Sequence, residues 1–179
     1  MSTTKIIEDS FEIEVNDLIP EQEISHHVKL KKFLHIAKNL SELSEFDIYR
    51  FGAVITLKDK VIATGYNSPK SHPMQKHYNN KFKEFVHDNS QHGIHAEMSA
   101  INELKHMMKT VDFDLKKLEL TVYRSGKDGH SKMGRPCAAC MAAIKEIGIP
   151  VVNYTTPHGI ATEFIIGKDL KVKKAKRLI

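Results

Sequence analysis

The chain is short of most features that would assign it quickly to a class. Its 179 residues contain only two cysteines, Cys137 and Cys140, too few for the disulfide framework of a small secreted domain. No run of about 18 apolar residues occurs, so no segment is expected to span a membrane. Residues 1–24 are acidic and lack an apolar signal core, so secretion is not expected. Internal repeats and low-complexity segments are absent. Aromatic residues make up 7%, with no RNA-recognition motif and no dense interleaving of aromatic and basic residues, which weighs against a polynucleotide-binding module. What remains is an ordinary globular composition, 41% hydrophobic, in a length that suits one domain with its own core.

The formal net charge of +5 and pI of about 9.1 lean towards an anionic partner such as a nucleotide or a nucleic acid. The charge is unevenly spread. Residues 168–177 carry six basic side chains, which read either as a solvated tail or as a nucleic-acid contact.

Hydrophobic spacing gives the organisation. Residues 1–25 read as an N-terminal arm or an added strand, since Phe11, Ile13 and Val15 alternate. Leu30, Phe33, Leu34, Ala37 and Leu40 predict a helix between Pro20 and Ser44. Strands are predicted at 49–57 and 61–66 about a tight turn at Lys58–Lys60, then at 118–124, 149–155 and 160–166. The connection from Asn67 to Gly93 is long, poor in aliphatic residues and rich in His and Lys. Tyr78, Phe82 and Phe85 suit a short helix within it. The predicted domain covers residues 26–166, followed by a basic tail at 167–179. Its α-β-β-α-β-α-β-β order implies a mixed sheet with helices on both faces.

Two stretches carry chemistry. His95-Ala96-Glu97 precedes Met98, Ile101, Leu104 and Met108, whose spacing predicts an amphipathic helix. Cys137 and Cys140 follow Pro136, which suits the first turn of a second helix, and Gly148 suits its end. One imidazole and two thiolates supply three zinc ligands and leave a fourth position for water, as catalytic rather than structural zinc sites do. Two residues apart on a regular helix, His95 and Glu97 would face opposite sides. They can share a metal only if His95 stands at the helix start with the zinc off its end. A Cys137–Cys140 disulfide is the alternative, and the accompanying His and Glu favour metal in a reducing, cytoplasmic compartment.

His-x-Glu followed by Pro-Cys-x-x-Cys is a signature of zinc-dependent deaminases. Over residues 26–166 the chain resembles the cytidine deaminase superfamily, including its deoxycytidylate deaminases. The resemblance implies a three-layer α/β/α fold with a mixed five-stranded sheet. It implies Zn2+ on His95, Cys137 and Cys140, with Glu97 as the catalytic proton shuttle. Gly65-Tyr66-Asn67 resembles the segment whose Asn contacts the sugar, and Ala96 matches a position whose backbone touches the base. A histidine ligand is typical of the deoxycytidylate, tRNA adenosine and polynucleotide cytidine branches. The short Pro157-His158-Gly159 turn is more like small cytidine deaminases.

The implied reaction is hydrolytic conversion of cytosine to uracil in a nucleoside or nucleotide, with release of ammonia. The alternatives are deamination of cytosine or adenine in single-stranded nucleic acid or tRNA, and a zinc-binding module without catalysis. Intact Glu97 argues against the last. A homo-oligomer is the accompanying expectation. The 125–135 loop carries Lys127, His130, Lys132 and Arg135, and it runs into Pro136. Lys127, Lys132 and Arg135 are therefore the candidate contacts to a substrate phosphate, against a solvated role. Asn67 is either a sugar contact or a turn residue. His72, His77, His87 and His92 match no clean metal template, and solvated roles suit them better.

Overall fold

A computed structural model describes residues 21–82 and 93–165, together with three short strands at 6–8, 11–13 and 173–174. The chain forms two compact units, residues 1–32 and 33–179. In the first, β1 (Ile6–Glu8) pairs antiparallel with β2 (Phe11–Ile13), and helix α1 (Glu21–Ser41) begins.

The second unit is organised by β3 (Arg50–Leu57). Its run of Ala53, Val54, Ile55 and Thr56 is buried on both faces, as a central strand requires. β3 pairs antiparallel with β4 (Lys60–Tyr66) on one side and β7 (Leu118–Ser125) on the other. β8 (Val151–Thr156) runs parallel to β7, and β9 (Gly159–Phe164) returns antiparallel, which makes the sheet mixed. These are the five expected strands. A two-residue sixth, β10 (Lys173–Lys174), extends the edge, giving the order β10-β9-β8-β7-β3-β4.

Two glycines show how the layers meet. In the antiparallel ladder Ala53 lies opposite Gly65, and Gly52 opposite Tyr66. A Cβ on Gly65 would collide with the Ala96 carbonyl oxygen and lie 2.5 Å from Ala100 N, both in helix α3 (Ala96–Met107). A Cβ on Gly52 would collide with the Ala37 carbonyl oxygen of α1. Adjacent strand positions point to opposite faces, so α3 and residues 37–41 of α1 cover opposite sides of the sheet. Helix α4 (Ala138–Ile147) packs beside α3. The main core lies on that side. Ala53, Ile55, Leu120, Val122 and Val152 of the sheet meet Met98, Ile101, Leu104 and Ile144 of the helices. Each of the larger side chains contributes roughly 1.5–3 kcal/mol by leaving water.

The 67–93 connection has structure of its own. β5 (Ser68–Ser71) pairs with β6 (Gly93–Ile94), and helix α2 (Pro73–Phe82) lies between them. Tyr78 is buried as expected and Phe82 is exposed, while Phe85 falls outside the described residues. Other expectations also shift. Met108 caps the C-terminus of α3 instead of packing on its buried face, and it is exposed. Pro136 stands one residue before the N-cap of α4, because Cys137 takes the cap and α4 begins at Ala138. Gly148 ends α4 at φ 90°, a left-handed conformation that glycine adopts freely, and its N–H reaches the Ile144 and Lys145 carbonyls. Among the described residues no helix is long and apolar enough to cross a membrane.

Candidate active site and metal centre

His95 is the N-cap of α3, with extended backbone at φ −79° and ψ 154°. Its carbonyl accepts the first helical hydrogen bond, from Ser99 N at 2.9 Å. Its side chain therefore leaves the helix at the end rather than from the flank, which resolves the two-residue spacing to Glu97. The His95 N–H donates to Gln75 Oε1 at 3.0 Å, and Gln75 Nε2 donates to Asn79 Oδ1 at 2.7 Å. Both amides are fully buried in α2. The short helix within the long 67–93 connection thus fixes the backbone of the critical histidine. Sequence reasoning missed Gln75, since one glutamine in a polar stretch gives no signal of burial.

Cys137 is the N-cap of α4, and its carbonyl accepts from Met141 N at 2.8 Å. Its Sγ accepts from the backbone N–H of Cys140 at 3.5 Å, a sulfur version of the N-cap bond. The two helix N-termini bring the three expected residues together. His95 Nδ1 lies 3.6 Å from Cys137 Sγ and 3.3 Å from Cys140 Sγ. One donor atom from each of the three residues lies within 4.8 Å of the others, and both cysteines are unbridged. A tetrahedral zinc with ordinary bond lengths, roughly 2.0 Å to nitrogen and 2.3 Å to sulfur, separates such donors by about 3.6 Å. The triad fits that ion in both spacing and chemistry. It is the one such cluster among the described residues. His87 and His92 lie outside them.

Glu97 sits in the first turn of α3 and is 3% exposed. Burial pushes its carboxyl up to about 7, opposed by the pull of His95 and reinforced by Cys137. It also hydrogen-bonds with Cys140. The Cys137 thiol is held down to about 4, first by its hydrogen bond with Cys140, against burial and together with His95. The helix N-termini act in the same direction by favouring negative charge. The corner is therefore a Cys137 thiolate, a second cysteine and an imidazole beside a buried acid. That combination can hold a soft divalent cation and move protons next to it.

Residues 27–156 match the family model described as "Cytidine and deoxycytidylate deaminase zinc-binding region". The chain belongs to this deaminase family. The match spans both motifs and four of the five long strands of this family member, and β9 lies beyond it. Among solved structures, it is similar to the apo dCMP deaminase from the cyanophage S-TIM5. Identity is 20%, covering 73% of this chain and 83% of that one, with a TM-score of 0.48. Guanine deaminase from Bacillus subtilis is 21% identical over 72% of this chain and 64% of that one, with a TM-score of 0.43. Cytidine deaminase from Mycobacterium leprae is 20% identical over 74% and 91%, with a TM-score of 0.43. No curated protein matches the chain.

The other candidate residues of this deaminase-family chain are placed as follows. Ala96 is fully buried at the start of α3, its carbonyl against Gly65. Asn67 is buried at the end of β4. Its Nδ2 donates to the Tyr49 carbonyl and its Oδ1 accepts from Phe51 N at 2.8 Å, so the amide clamps the start of β3. Lys132 pairs with Asp128 at 2.6 Å, and both side chains are largely in solvent. Lys127 is exposed beside them. Arg135 is turned away to a partner that sequence reasoning missed. Its Nε donates to Glu163 Oε1 at 2.6 Å and its Nη2 to Oε2 at 3.1 Å. Glu163 is 2% exposed and also accepts from Tyr154 Oη at 2.8 Å. A buried carboxylate 28 residues away is invisible to local spacing.

Proposed function

We propose that the protein is a hydrolytic deaminase that converts cytosine to uracil in a nucleoside or nucleotide. In this reading Zn2+ is held by His95, Cys137 and Cys140, and Glu97 carries protons. The carrying observation is the meeting of three metal donors with a buried carboxyl at two helix N-termini. Bound zinc would supply a water of pKa about 7 in its open fourth position.

The protein's own residues do the rest. Glu97 accepts a proton from water and gives it to the ring nitrogen; it then takes the proton of the hydroxyl added at the ring carbon and passes it to the amine, so ammonia departs and the carbonyl forms. Its burial keeps bulk water from competing for those protons. Ala96 offers its backbone to the base from the first residue of α3. Asn67 is the proposed sugar contact. Its amide retains hydrogen-bonding capacity beyond the two backbone groups it holds, because each end can make two bonds.

The test is ammonia release from a panel of free bases, nucleosides, nucleotides and single-stranded oligonucleotides. Cytosine nucleosides or nucleotides are the expected substrates. Glu97→Ala should keep the fold and the zinc while losing about a hundred- to ten-thousandfold in rate. Residual activity above roughly a tenth would mean that another group moves the protons.

A further inference from the structure

The helix that carries His95 does not cap its own N-terminus. In a self-capped helix the N-cap side chain binds a backbone N–H of the first turn. A Glu or Gln three residues on then returns to the N-cap N–H. Here the N-cap side chain is that of His95, which makes no capping bond and lies instead among the metal donors. The residue three on is Met98, fully buried in the core. The bond to the His95 N–H comes from outside the helix, from Gln75 Oε1 of α2. We propose that Gln75 is a positioning residue of the metal centre and that Asn79 orients it, so that α2 aims the His95 imidazole at the two cysteines. This rests on the zinc-dependent deaminase reading above.

Position is the first argument. Gln75, Tyr78 and Asn79 stand at i, i+3 and i+4, so they share one face of α2. That face is buried and addresses both helices that carry donors. Gln75 holds the start of α3, and Tyr78 hydrogen-bonds with Glu146 near the end of α4. α2 therefore ties the helix of the histidine to the helix of the cysteines. The cysteine helix is capped at its start without outside help, because Cys137 Sγ accepts from the Cys140 N–H.

The direction of the amide chain is the second. A backbone N–H can only donate, so Gln75 must turn Oε1 to His95 and Nε2 away from it. Nε2 then requires an acceptor, which Asn79 supplies with Oδ1 at 2.7 Å. Asn79 Nδ2 is left buried with no hydrogen-bond partner among the described residues. Such a group costs stability, and a purely structural contact between helices is served as well by apolar side chains. An apolar residue at position 75, however, would leave the His95 N–H without its acceptor. The chain of amides is arranged for that one donor. Holding the N–H fixes the peptide plane before His95, and with it the direction of the Cα–Cβ bond that carries the imidazole.

The experiment uses the full chain and its Gln75→Met, Gln75→Glu and Asn79→Leu variants. Gln75→Met keeps the side-chain length and removes the acceptor. Gln75→Glu keeps the acceptor in either protonation state. A neutral Glu donates its O–H to Asn79 Oδ1, and an ionised one accepts from Asn79 Nδ2 once that amide turns over. Zinc affinity is read by competition with a chelator, donor geometry by the visible absorption of the cobalt-loaded protein, and fold stability by melting of the metal-free protein. Gln75→Met should weaken zinc binding about ten- to a hundredfold and alter the cobalt bands, as loss of a group that orients a metal ligand does. Gln75→Glu should restore most of both. Asn79→Leu should fall between them, because Gln75 keeps its oxygen but loses the partner that orients it, and it provides the test if Gln75→Met does not fold. A lower metal-free melting temperature with unchanged zinc affinity and cobalt bands would overturn the proposal. So would a Gln75→Glu protein as weak in zinc binding as Gln75→Met. A wild type that binds zinc and deaminates nothing, with the same ranking of variants, would sink the deaminase reading and keep the proposal. Deamination by zinc-loaded Gln75→Met at the wild-type rate, with unchanged cobalt bands, would do the reverse.

Discussion

The corner where α3 and α4 begin and the loop that feeds it are built by different means. At the corner the backbone does the positioning. His95 and Cys137 are both N-caps, the His95 N–H is held by Gln75, and Gly65 lets α3 sit directly on β4. In the 125–135 loop and its surroundings, side chains do it, through the Lys132–Asp128 pair and the Arg135–Glu163–Tyr154 network. A site fixed by helix ends keeps its geometry when one surface residue changes. A segment fixed by side-chain pairs depends on each partner in proportion to its burial.

The sharpest way to break this contrast is at the metal donors. His95→Ala or Cys137→Ser should lower zinc occupancy from about one per chain and reduce stability together, because two remaining ligands bind weakly. Metal analysis alongside thermal unfolding checks it, and full zinc retention in either variant would remove that residue from the ligand set.

A smaller effect is expected at Glu163. Glu163→Ala strands the Tyr154 hydroxyl and frees Arg135, which should cost about 1–3 kcal/mol in denaturant unfolding. The ion-pair share is small, since Arg135 is 45% exposed. The same pair predicts a pH response. Burial first, then Glu163, pushes the Tyr154 phenol up to about 12 from 10.0. Protonated Tyr154 therefore adds stability that is complete below pH 10 and is lost as pH rises towards about 12. Glu163→Gln should bring its phenolate absorbance titration down towards, but not to, the ordinary value, because burial persists. An unmoved titration would mean that Glu163 does not act on this phenol.

The smallest effect is at Asp128, whose pair with Lys132 lies in solvent. Asp128→Asn should leave the melting temperature within about 1 °C. A larger loss would show that the loop depends on that pair as the buried network depends on Glu163.

Much of the metal corner was legible from residue order alone. The Cys137–Cys140 spacing, the adjacency of His95 and Glu97, and apolar Met98, Ile101 and Leu104 are short-range patterns. Helical geometry converts such spacing into direction almost without reference to the rest of the fold. The five strands were legible as short runs rich in β-branched and aromatic residues bounded by turn residues. The helix ends shifted by a residue or so, at Pro136 and Met108, because caps depend on local backbone angles that composition constrains weakly.

The sequence by itself determined the pairing of His95 and Glu97 at one helix start, the Cys137–Cys140 spacing at another and the layered α/β class, because each is written in neighbouring residues. Tertiary structure alone decided which arginine is committed to a carboxylate and which lies over aromatic rings. Arg124 and Arg135 are both basic residues flanking one loop. Their difference lies in Glu163 and Tyr154 on one side and Tyr49 and Phe51 on the other. It also decided that Gln75 holds His95, since a buried hydrogen bond across 20 residues exists only after α2 has folded against the start of α3. Pairings over such distances follow from chain topology and the cost of leaving buried polar groups unpaired, neither of which local spacing records.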